Sequence, residues 1–482
     1  MADEDIFEFF LIKSRKTRLE KIVDSAVVQR IIKAYDIRGL VDGELTEEFA
    51  FAAGVAFARF LELSREPATV IIGEDMRPSS AELATAFADG INSQSFDVVR
   101  IGLASTDQLY FASGSRNLPG AMFTASHNPA EYNGIKLCLS GARPVGQESG
   151  LAWIKAEILK GAALPLRTVG KVHQEDLLSD YVEFLLSLFP HDTFNGQYQG
   201  RKMRIAIDAG NGMGGHTAPA VMANINAEVS TLYFELDGNF PNHEANPIDP
   251  KNVVELQKLV VESGADIGLA FDGDADRCFL VDEKGDLVSP SALTALIAER
   301  ELKKNPGATI IHNLICSRAV PEVVIENGGV AVRSRVGHSY IKQLMSEKAA
   351  VFGGEHSGHF YFKDFWRADS GMLAALHAVA ALMDSQLKLS ELLKSYNRYF
   401  LSGEINTKVQ DQSAAIEKIR THFKESDEVL SFDELDGLTV TAKTWWFNVR
   451  PSNTEPLLRL NVEADTSAQM EKIKSSVLAM MH

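Results

Sequence analysis

The sequence predicts an α/β protein with three similar α/β domains followed by a smaller α+β domain. Short apolar strands alternate with helical patterns over most of the chain, whereas the last eighty residues indicate short strands closed by a helix. Strands that alternate with helices form βαβ units and mainly parallel sheets. At ~150 residues per domain, the length of 482 residues suggests about three domains, and two or four are also compatible.

Three places in the chain repeat one order of elements. The strands are Thr69–Gly73, Arg204–Ile207 and Thr309–Ile311. The polar turns EDMRPSS, DAGNGMGG and HNLICSRAV follow them, and then the helical segments AELATAFADGI, HTAPAVMANI and PEVVIENGG. More than a hundred residues separate successive strands, which fits one α/β domain for each, although the identity between them is too weak to establish a repeat.

The C-terminal segment has a different pattern, which predicts the smaller domain. Its predicted strands are Leu438–Lys443, Trp446–Arg450 and Leu457–Glu463, and Ser467–Met480 is a predicted closing helix. The break before this domain falls near Ser402–Gly403. We therefore expect a charged N-terminal arm at 1–25 and domains at 26–168, 169–287, 288–402 and 403–482.

Composition and charge restrict the classes of partner. The chain is 45% hydrophobic and 23% charged, as in ordinary globular proteins. Its 48 basic and 65 acidic side chains give a net charge of −17, which argues against nucleic acid or an anionic membrane surface, because both require a basic footprint. The longest apolar stretch, Met372–Met383, is shorter than the ~20 residues of a membrane-spanning helix. The negative net charge is still compatible with a small anionic ligand bound in a locally basic cleft.

The cysteines and the N-terminal sequence indicate a cytoplasmic protein. Cys138, Cys278 and Cys316 are widely spaced and form no CxxC motif, so they predict neither a disulfide framework nor a zinc site. The sequence MADEDIFEFFLIKSRK is acidic before its short apolar run, the reverse of a secretory signal.

Ser126 lies in a polar loop, FTASHNPAEYNGIK, at Phe123–Lys136. The adjacent His127 supports catalysis only weakly, since neighbouring side chains of a strand point to opposite faces. For an isolated SHNP segment, a helix cap or a turn is the favoured interpretation. Lys136 favours the catalytic interpretation because it could bring a cation into the same pocket.

Asp272, Asp274 and Asp276 occupy alternate positions between two apolar segments. Three carboxylates at this spacing repel one another, and a divalent cation that prefers oxygen ligands offsets the repulsion. Glu283 at the twelfth position imitates an EF-hand, but Arg277 stands at the sixth, where that loop requires glycine. We reject the EF-hand, keep a solvated acidic turn as the alternative, and interpret Arg277 as a sign of a combined metal and phosphate site.

Two further loops suit a phosphorylated sugar. In GGEHSGHF, Glu355 and Ser357 can bind vicinal hydroxyls and His359 can exchange a proton, although for this segment alone a glycine-rich turn with incidental polar residues is the favoured interpretation. In RPSNTEPLLR, Arg450 can bind a phosphate dianion bidentately beside two hydroxyls and an amide. Each loop is a weak signal alone, but the set of four motifs is a strong one.

The motifs TASHNP, DGDADR, GEHSGH and RPSNTEP, in this order, resemble those of the α-D-phosphohexomutase superfamily and, within it, of the bacterial phosphomannomutase/phosphoglucomutase group. The resemblance extends from about Ala34 to the C-terminus and includes Ala34–Gly39 (AYDIRG) and Val336–Ser339 (VGHS). It implies three related α/β domains with mixed sheets and a smaller, more mobile fourth domain around a central cleft.

The resemblance also implies a role for each motif residue. Ser126 is expected to be a phosphoserine that gives a phosphoryl group to the sugar and takes one back. The residues expected near the reacting oxygens are Arg38, His127, Lys136, Arg277 and His359, of which Lys136 and His359 are candidates for proton transfer. The residues expected to hold Mg²⁺ are Ser126, through its phosphate, and Asp272, Asp274 and Asp276. The residues expected to bind the sugar are His338, Glu355 and Ser357. The residues expected to hold the non-reacting phosphate are Arg450, Ser452, Asn453 and Thr454.

The implied activity is that of an isomerase, an intramolecular phosphotransferase that interconverts mannose 6-phosphate and mannose 1-phosphate. Mg²⁺ and an activator, glucose 1,6-bisphosphate or mannose 1,6-bisphosphate, would be its cofactors, and the chain would be a monomer or a homodimer. The alternatives are a phosphoglucomutase or phosphoglucosamine mutase with the same mechanism, a phosphatase, and a non-catalytic phosphosugar-binding scaffold. No nucleophile or metal carboxylate of the pattern is lost, which argues against the scaffold.

Two positions depart from the family pattern. Ile315 stands where many relatives carry a lysine, and Arg318 is a candidate to supply that charge. His356 stands where relatives often have methionine and glucosamine mutases often have glutamine, a difference expected to alter substrate preference.

Overall fold

The computed structural model describes residues 24–161, 168–452 and 457–481. These residues form two compact units. The first contains the described residues up to Val288 together with Gly358–Leu389, and the second contains Ser289–Ser357 and the residues from Ser390 onward. Nearly all of the predicted N-terminal arm lies outside the described residues, as do Asn453 and Thr454.

The first sheet has seven strands in a mixed arrangement, is covered by helices and is preceded by helix α1 (Ser25–Ile31). Its strands are β1 (Ile37–Leu40), β2 (Thr69–Glu74), β3 (Asp97–Leu103), β4 (Gly120–Phe123), β5 (Tyr132–Leu139), β6 (Arg143–Pro144) and β7 (Val172–Gln174). Its helices are α2 (Glu47–Leu63), α3 (Ser80–Asn92), α4 (Thr106–Arg116) and α5 (Ala152–Lys160), the last preceded by a π-helical turn at Gln147–Leu151.

The order of this sheet, β1-β5-β4-β2-β3-β7 with β6 beside β5, places the predicted catalytic loop between two central strands. β2 is parallel to β3 and β4, whereas β5 is antiparallel to β1 and β4. All four residues of β4 are buried, as expected for a strand covered on both faces. The β4–β5 connection therefore fixes both ends of the loop that contains Ser126.

The second domain has a five-stranded mixed sheet with the order β12-β11-β10-β8-β9. Its elements are α6 (Leu178–Ser187), β8 (Met203–Asp208), α7 (Gly214–Met222), β9 (Ala227–Leu232), a 3₁₀ turn (Pro250–Val253), α8 (Val254–Ser263), β10 (Ile267–Phe271), β11 (Cys278–Asp282) and β12 (Leu287–Val288). β8 is parallel to β9 and β10, and β11 is antiparallel to β10 and β12. The three aspartates lie in the connection from β10 to β11.

The next segment contributes elements to both units. In chain order they are α9 (Pro290–Lys304), β13 (Thr309–Asn313), α10 (Ala319–Glu326), β14 (Val330–Ser334), α11 (His338–Glu347), β15 (Phe352–Gly354), β16 (Phe360–Phe362), a 3₁₀ turn (Lys363–Phe365), β17 (Ala368–Asp369), α12 (Gly371–Ser385), α13 (Leu389–Leu392) and a 3₁₀ turn (Leu393–Ser395). In the second unit, β13 lies parallel between β14 and β15. The antiparallel pair β16–β17 and the buried helix α12 belong to the first unit.

The C-terminal domain is an antiparallel sheet with two helices. Its elements are β18 (Phe400–Leu401), β19 (Ile405–Lys408), α14 (Gln412–Lys424), β20 (Val429–Asp433), β21 (Leu438–Ala442), β22 (Trp445–Pro451), β23 (Leu457–Ala464) and α15 (Ser467–Met481). The order is β18-β23-β22-β21-β20, and β19 also pairs with β23. The helices pack on one face through apolar residues such as Phe423 and Val477, against Trp445 and Phe447.

The predicted fold class is confirmed: mixed sheets in α/β domains precede a smaller α+β domain, and the three predicted C-terminal strands and the closing helix are present. The central cleft stays a prediction. Among the described residues, no helix has both the length and the apolar character needed to cross a membrane.

Candidate active site

Ser126 lies on a sharp bend three residues after β4. Its φ of +50° is in the left-handed region, which costs an L-residue roughly 1–2 kcal/mol. The hydroxyl of Thr124 accepts a hydrogen bond from Ser126 N at 2.9 Å and supports the bend. The Oγ of Ser126 lies 3.2 Å from Nδ1 of His127. The expectation that the Ser126 and His127 side chains point to opposite faces, as in a strand, was wrong, because residue 126 lies in a turn.

The three aspartates form a buried group directly beside Ser126. Asp272, Asp274 and Asp276 are at most 1% exposed, and each offers a carboxylate oxygen within 4.8 Å of the others. Ser126 Oγ donates a hydrogen bond to Asp272 Oδ2 at 2.8 Å. Only glycine fits at Gly273, because a Cβ there would lie 2.3 Å from the carbonyl oxygen of Ser126. The structure thus brings the two predicted loops together.

The donor atoms of this group fit a divalent cation that prefers oxygen. Oδ1 of Asp274 and Oδ1 of Asp276 are buried and accept no hydrogen bond. Burial of an ionised oxygen without a partner is costly, and a hard cation such as Mg²⁺ takes carboxylate oxygens as ligands. The group can therefore hold a metal ion.

Lys136 balances part of the negative charge. Its Nζ on β5 lies 2.6 Å from Asp274 Oδ2 and 2.7 Å from Asp276 Oδ2. Burial alone would lower the pKa of Lys136, but the two carboxylates outweigh it and raise that pKa well above its ordinary value. Burial would likewise raise the pKa of Asp274, and the Lys136 ammonium instead lowers it. Both groups are therefore ionised near neutral pH.

Arg277 connects the aspartates with His127. Its Nε donates to Asp272 Oδ2 at 2.9 Å, its backbone N donates to Asp272 Oδ1 at 3.1 Å, and its Nη2 donates to His127 Nδ1. Burial has the largest influence on the pKa of Asp272 and raises it, although the positive charge of Arg277 acts to lower it. Burial, together with that same charge, lowers the pKa of His127 well below its ordinary value. His127 is therefore neutral and accepts the Arg277 hydrogen bond.

His359 lies next to Arg277 because a single antiparallel bridge pairs the backbones of the two residues. Its Nδ1 is 3.0 Å from Asp369 Oδ2 and 3.7 Å from Asp276 Oδ1. Burial would lower the pKa of His359, but Asp276 and Asp369 outweigh it and raise the pKa. The raised pKa favours the protonated imidazole, which can donate a proton to a neighbouring oxygen.

Arg38 lies on β1, opposite Gly134 of β5. Its Nη1 donates to Asn128 Oδ1 at 2.8 Å and its Nη2 donates to Asp36 Oδ2 at 2.5 Å. The guanidinium is therefore fixed beside the loop that carries Ser126. Ser126 and the five residues expected near the reacting oxygens all lie in the first unit.

In the second unit, Glu355 follows β15 and is 2% exposed. Its Oε1 accepts hydrogen bonds from Gly337 N at 3.2 Å and Asn313 Nδ2 at 3.4 Å. His338 is the first residue of α11, directly after Gly337, and Ser357 is half-buried. The predicted sugar-binding residue Glu355 thus lies at the N-terminus of α11, close to the backbone of His338.

Arg450 is paired with a carboxylate. Across the β22–β23 register it lies opposite Arg459, and Glu404 binds both, at 2.6 Å from Arg450 Nη2 and 3.2 Å from Arg459 Nη1. Ser452 N donates to Leu457 O at 2.9 Å. The two arginines give this strand end a positive charge that a phosphate can meet, and one carboxylate fixes them.

His356 and Arg318, the residues discussed above in connection with departures from the family pattern, both lie near charged side chains. Burial lowers the pKa of His356, and the charges of Glu404 and Arg450, which lie near it in the second unit, act on it as well. Arg318 binds Glu463 and Asp465, each at 2.9 Å. Its guanidinium is therefore engaged by carboxylates of the C-terminal domain.

Three buried residues contact the site but were not predicted from the sequence. Thr106 donates its hydroxyl to Asp274 Oδ2 at 2.5 Å, Asp369 binds His359, and Arg77 binds the backbone of the Ser126 loop. The sequence did contain a signal for Thr106 and Arg77, because the polar segments STDQ and EDMRPSS, in which they lie, each follow a largely apolar strand. Nothing in the sequence indicated the partner of either segment.

Comparison with known proteins covers nearly the whole chain. Sequence models of the phosphoglucomutase/phosphomannomutase family match in order: alpha/beta/alpha domain I at residues 29–164, domain II at 179–285, domain III at 289–399 and the C-terminal domain at 404–480. The phosphomannomutase of Vibrio cholerae serotype O1 is 38% identical over 90% of this chain and 94% of its own.

Solved structures of phosphohexomutases are also similar to this chain. A phosphoglucomutase/phosphomannomutase family protein of Burkholderia thailandensis has a TM-score of 0.84 at 31% identity, over 95% of this chain and 97% of its own. Aspergillus fumigatus N-acetylphosphoglucosamine mutase, in complex with GlcNAc-6P and magnesium, has a TM-score of 0.56 at 13% identity, over 94% of this chain and 98% of its own. The resemblance is confirmed: the chain belongs to the phosphoglucomutase/phosphomannomutase family and is an enzyme of the phosphohexomutase class.

Proposed function

We propose that this enzyme interconverts mannose 6-phosphate and mannose 1-phosphate through a phosphoserine at Ser126 and a hexose 1,6-bisphosphate intermediate. The observation that carries the proposal is the position of Ser126 Oγ, 2.8 Å from Asp272, in a buried group of three carboxylates with Lys136 and Arg277. The name of the Vibrio cholerae relative supports mannose as the sugar.

Ser126 carries the phosphoryl group in each half-reaction. In the first, its Oγ–P bond breaks as a bond forms between phosphorus and a sugar oxygen, whose proton is lost. In the second, the bond between phosphorus and the sugar oxygen at the other phosphate breaks as phosphorus bonds to Ser126 Oγ, and that sugar oxygen takes up a proton as the Ser126 hydroxyl loses one. Phosphoryl transfer depends on positioning and charge neutralisation, and a phosphoserine adds nearly two negative charges beside the aspartates. Arg277 and Lys136 supply opposite charge.

Asp272, Asp274 and Asp276, with an oxygen of the phosphoserine, would hold Mg²⁺. The buried Oδ1 atoms of Asp274 and Asp276, which accept no hydrogen bond, support this assignment, as does the magnesium bound to the Aspergillus fumigatus relative. When bound, the ion neutralises charge on the transferred phosphoryl group.

Lys136 and His359 are our candidates to move the proton of the reacting sugar hydroxyl, and Arg38 and His127 lie beside the same loop. The pairing of His359 with Asp369 at 3.0 Å supports its role because it orients the ring. Lys136 is held in its protonated form by two carboxylates, so it would act as the proton donor.

The second unit contributes the residues that we propose for sugar and distal phosphate. Glu355 and Ser357 would bind the 3- and 4-hydroxyls, with His338 also contacting substrate. Four residues would hold the non-reacting phosphate: Arg450, Ser452, Asn453 and Thr454. One such phosphate site serves both half-reactions if the bisphosphate reorients between them. The Arg450–Arg459 pair supports a phosphate at this position.

The remaining assignments are part of the same proposal. The domains would be 26–168, 169–287, 288–402 and 403–482, after an arm at 1–25. The enzyme would act in the cytoplasm, which its three buried cysteines, none of them in a disulfide, support. It would be a monomer or a homodimer. Glucose 1,6-bisphosphate or mannose 1,6-bisphosphate would serve as activator.

The test is kcat/KM for the 1-phosphates of mannose, glucose and glucosamine, with Mg²⁺ and a catalytic amount of glucose 1,6-bisphosphate. We expect mannose 1-phosphate to be preferred or equal to glucose 1-phosphate. Turnover of glucosamine 1-phosphate alone would contradict the substrate. Absence of all turnover would favour the phosphosugar-binding scaffold, and net release of inorganic phosphate would favour a phosphatase.

A further inference from the structure

A buried arginine outside the predicted site binds the backbone of the Ser126 loop at four points. Arg77 lies in the EDMRPSS turn after β2 and is 2% exposed. Its Nη2 donates to the carbonyls of Ser126 at 2.9 Å and Asn128 at 2.6 Å. Its Nη1 donates to those of Pro129 at 2.8 Å and Tyr132 at 2.9 Å. Every N–H of the two terminal nitrogens can therefore be used on this one loop.

The guanidinium is held from its other sides as well. Asp75 Oδ2 lies 3.3 Å from Arg77 Nε, and Asp75 Oδ1 accepts hydrogen bonds from Arg77 N at 3.0 Å and from the Ser80 hydroxyl at 2.5 Å. The ring centroid of Phe240 lies 5.1 Å from Arg77 Cζ, at cation–π distance. These contacts fix the plane and direction of the guanidinium independently of the loop.

The Ser126 loop needs such a restraint. A left-handed φ at a non-glycine residue persists only where the surrounding structure over-determines it. The carbonyl of Ser126 is held between Arg77 and the α-carbon of Gly273, where no Cβ fits. With its carbonyl and its N–H both bound, the Ser126 backbone has one orientation, and Oγ points at Asp272.

We propose that Arg77 is a positioning residue for phosphoryl transfer at Ser126. The inference rests on the proposed function, because it concerns Ser126 as the phosphoryl carrier. Arg77 contacts only backbone carbonyls of the loop, so it acts through the direction of the Ser126 hydroxyl. A displacement of about 1 Å at a reacting group can cost ~10²-fold in rate. Arg77 therefore governs the rate of the step more than the binding of sugar phosphate.

The test is the variant Arg77→Lys, which keeps the charge but replaces the planar fork by a single ammonium that cannot reach four carbonyls. We expect kcat to fall roughly 10- to 100-fold while KM for mannose 1-phosphate stays within about threefold. The rate at which glucose 1,6-bisphosphate phosphorylates Ser126 should fall by the same factor. The matched control is Arg59→Lys, which alters an arginine bound to Gln94 and Glu157 in the same domain and should retain wild-type kcat.

The outcomes separate the inference from the proposed function. Wild-type kcat and phosphorylation rate in Arg77→Lys would overturn the inference, and so would a lowered melting temperature with unchanged kcat. If Arg77→Lys does not fold, Asp75→Asn, which removes the charge facing Nε, should lower kcat at unchanged KM; unchanged kcat in that variant would also overturn it. Failure of the wild-type enzyme itself to accept a phosphoryl group on Ser126 would instead contradict the proposed function.

Discussion

The ion pairs of Lys136 lead to a quantitative prediction for the stability of the first unit. In the absence of metal, the ammonium is the nearest positive charge to Asp274 and Asp276, at 2.6 and 2.7 Å. The variant Lys136→Met keeps much of the side-chain volume but leaves those two carboxylates without this partner. We therefore expect it to be strongly destabilised when no metal is present.

The magnitude follows from the burial of the pair. Removing one partner of a buried ion pair costs about 3–5 kcal/mol, and the lower value applies because Lys136 keeps 16% of its surface exposed. One kcal/mol shifts the melting temperature by about 2 °C in a unit of this size. The melting temperature of Lys136→Met in EDTA should therefore be roughly 6 °C below that of the wild type.

Differential scanning calorimetry with EDTA and with millimolar Mg²⁺ measures this effect. Mg²⁺ bound by the carboxylates would replace the lost charge, so the difference from wild type should shrink by more than half. The control Lys160→Met removes the exposed pair between Lys160 and Glu157, which is worth at most about 1 kcal/mol. Equal losses in the two variants, or a loss that Mg²⁺ does not change, would refute the reasoning.

Three further predictions concern the metal group, the distal phosphate and a buried acid. Asp274→Asn should lower kcat at least ~100-fold and raise the Mg²⁺ concentration for half-maximal activity; wild-type activity would leave the aspartates as an acidic turn. Arg450→Ala should raise KM about tenfold or more with kcat within about threefold, and steady-state kinetics with the reverse pattern would contradict its role. Burial raises the pKa of Asp107 to about 6, so folded protein binds more protons than unfolded protein between about pH 4 and 6, and its stability falls as pH rises through that window. In denaturant titrations, the free energy of unfolding of Asp107→Asn relative to that of the wild type should rise by about 3 kcal/mol between pH 4 and 7. A difference in unfolding free energy that does not change with pH would contradict this.

The secondary structure followed from local sequence because apolar runs are bounded by turn residues. The predicted strand Thr69–Gly73 is Thr69–Glu74 in the structure, and the predicted closing helix Ser467–Met480 is Ser467–Met481. Ser126 could not be placed in the same way. Its bend depends on contacts with the second domain, at Gly273, that no local pattern records.

The same limit applies to the candidate site. Asp272, Asp274 and Asp276 were predicted as a group because one short loop contains all three. Arg77 was missed because its carbonyl partners lie 49 to 55 residues further along the chain, and they meet it only after β4 and β5 pair beside β2. Asp369 was missed for a related reason, since its contact with His359 requires the β16–β17 pair.

The most direct test of the account is the fate of a phosphoryl group on Ser126. The enzyme would be incubated with glucose 1,6-bisphosphate and Mg²⁺, examined by intact-protein and peptide mass spectrometry, and then chased with mannose 6-phosphate. We predict one phosphoryl group, on Ser126, which is lost on the chase as a mannose bisphosphate forms, and no label in Ser126→Ala. A label on another residue, or a label on Ser126 that the sugar does not take up, would contradict it.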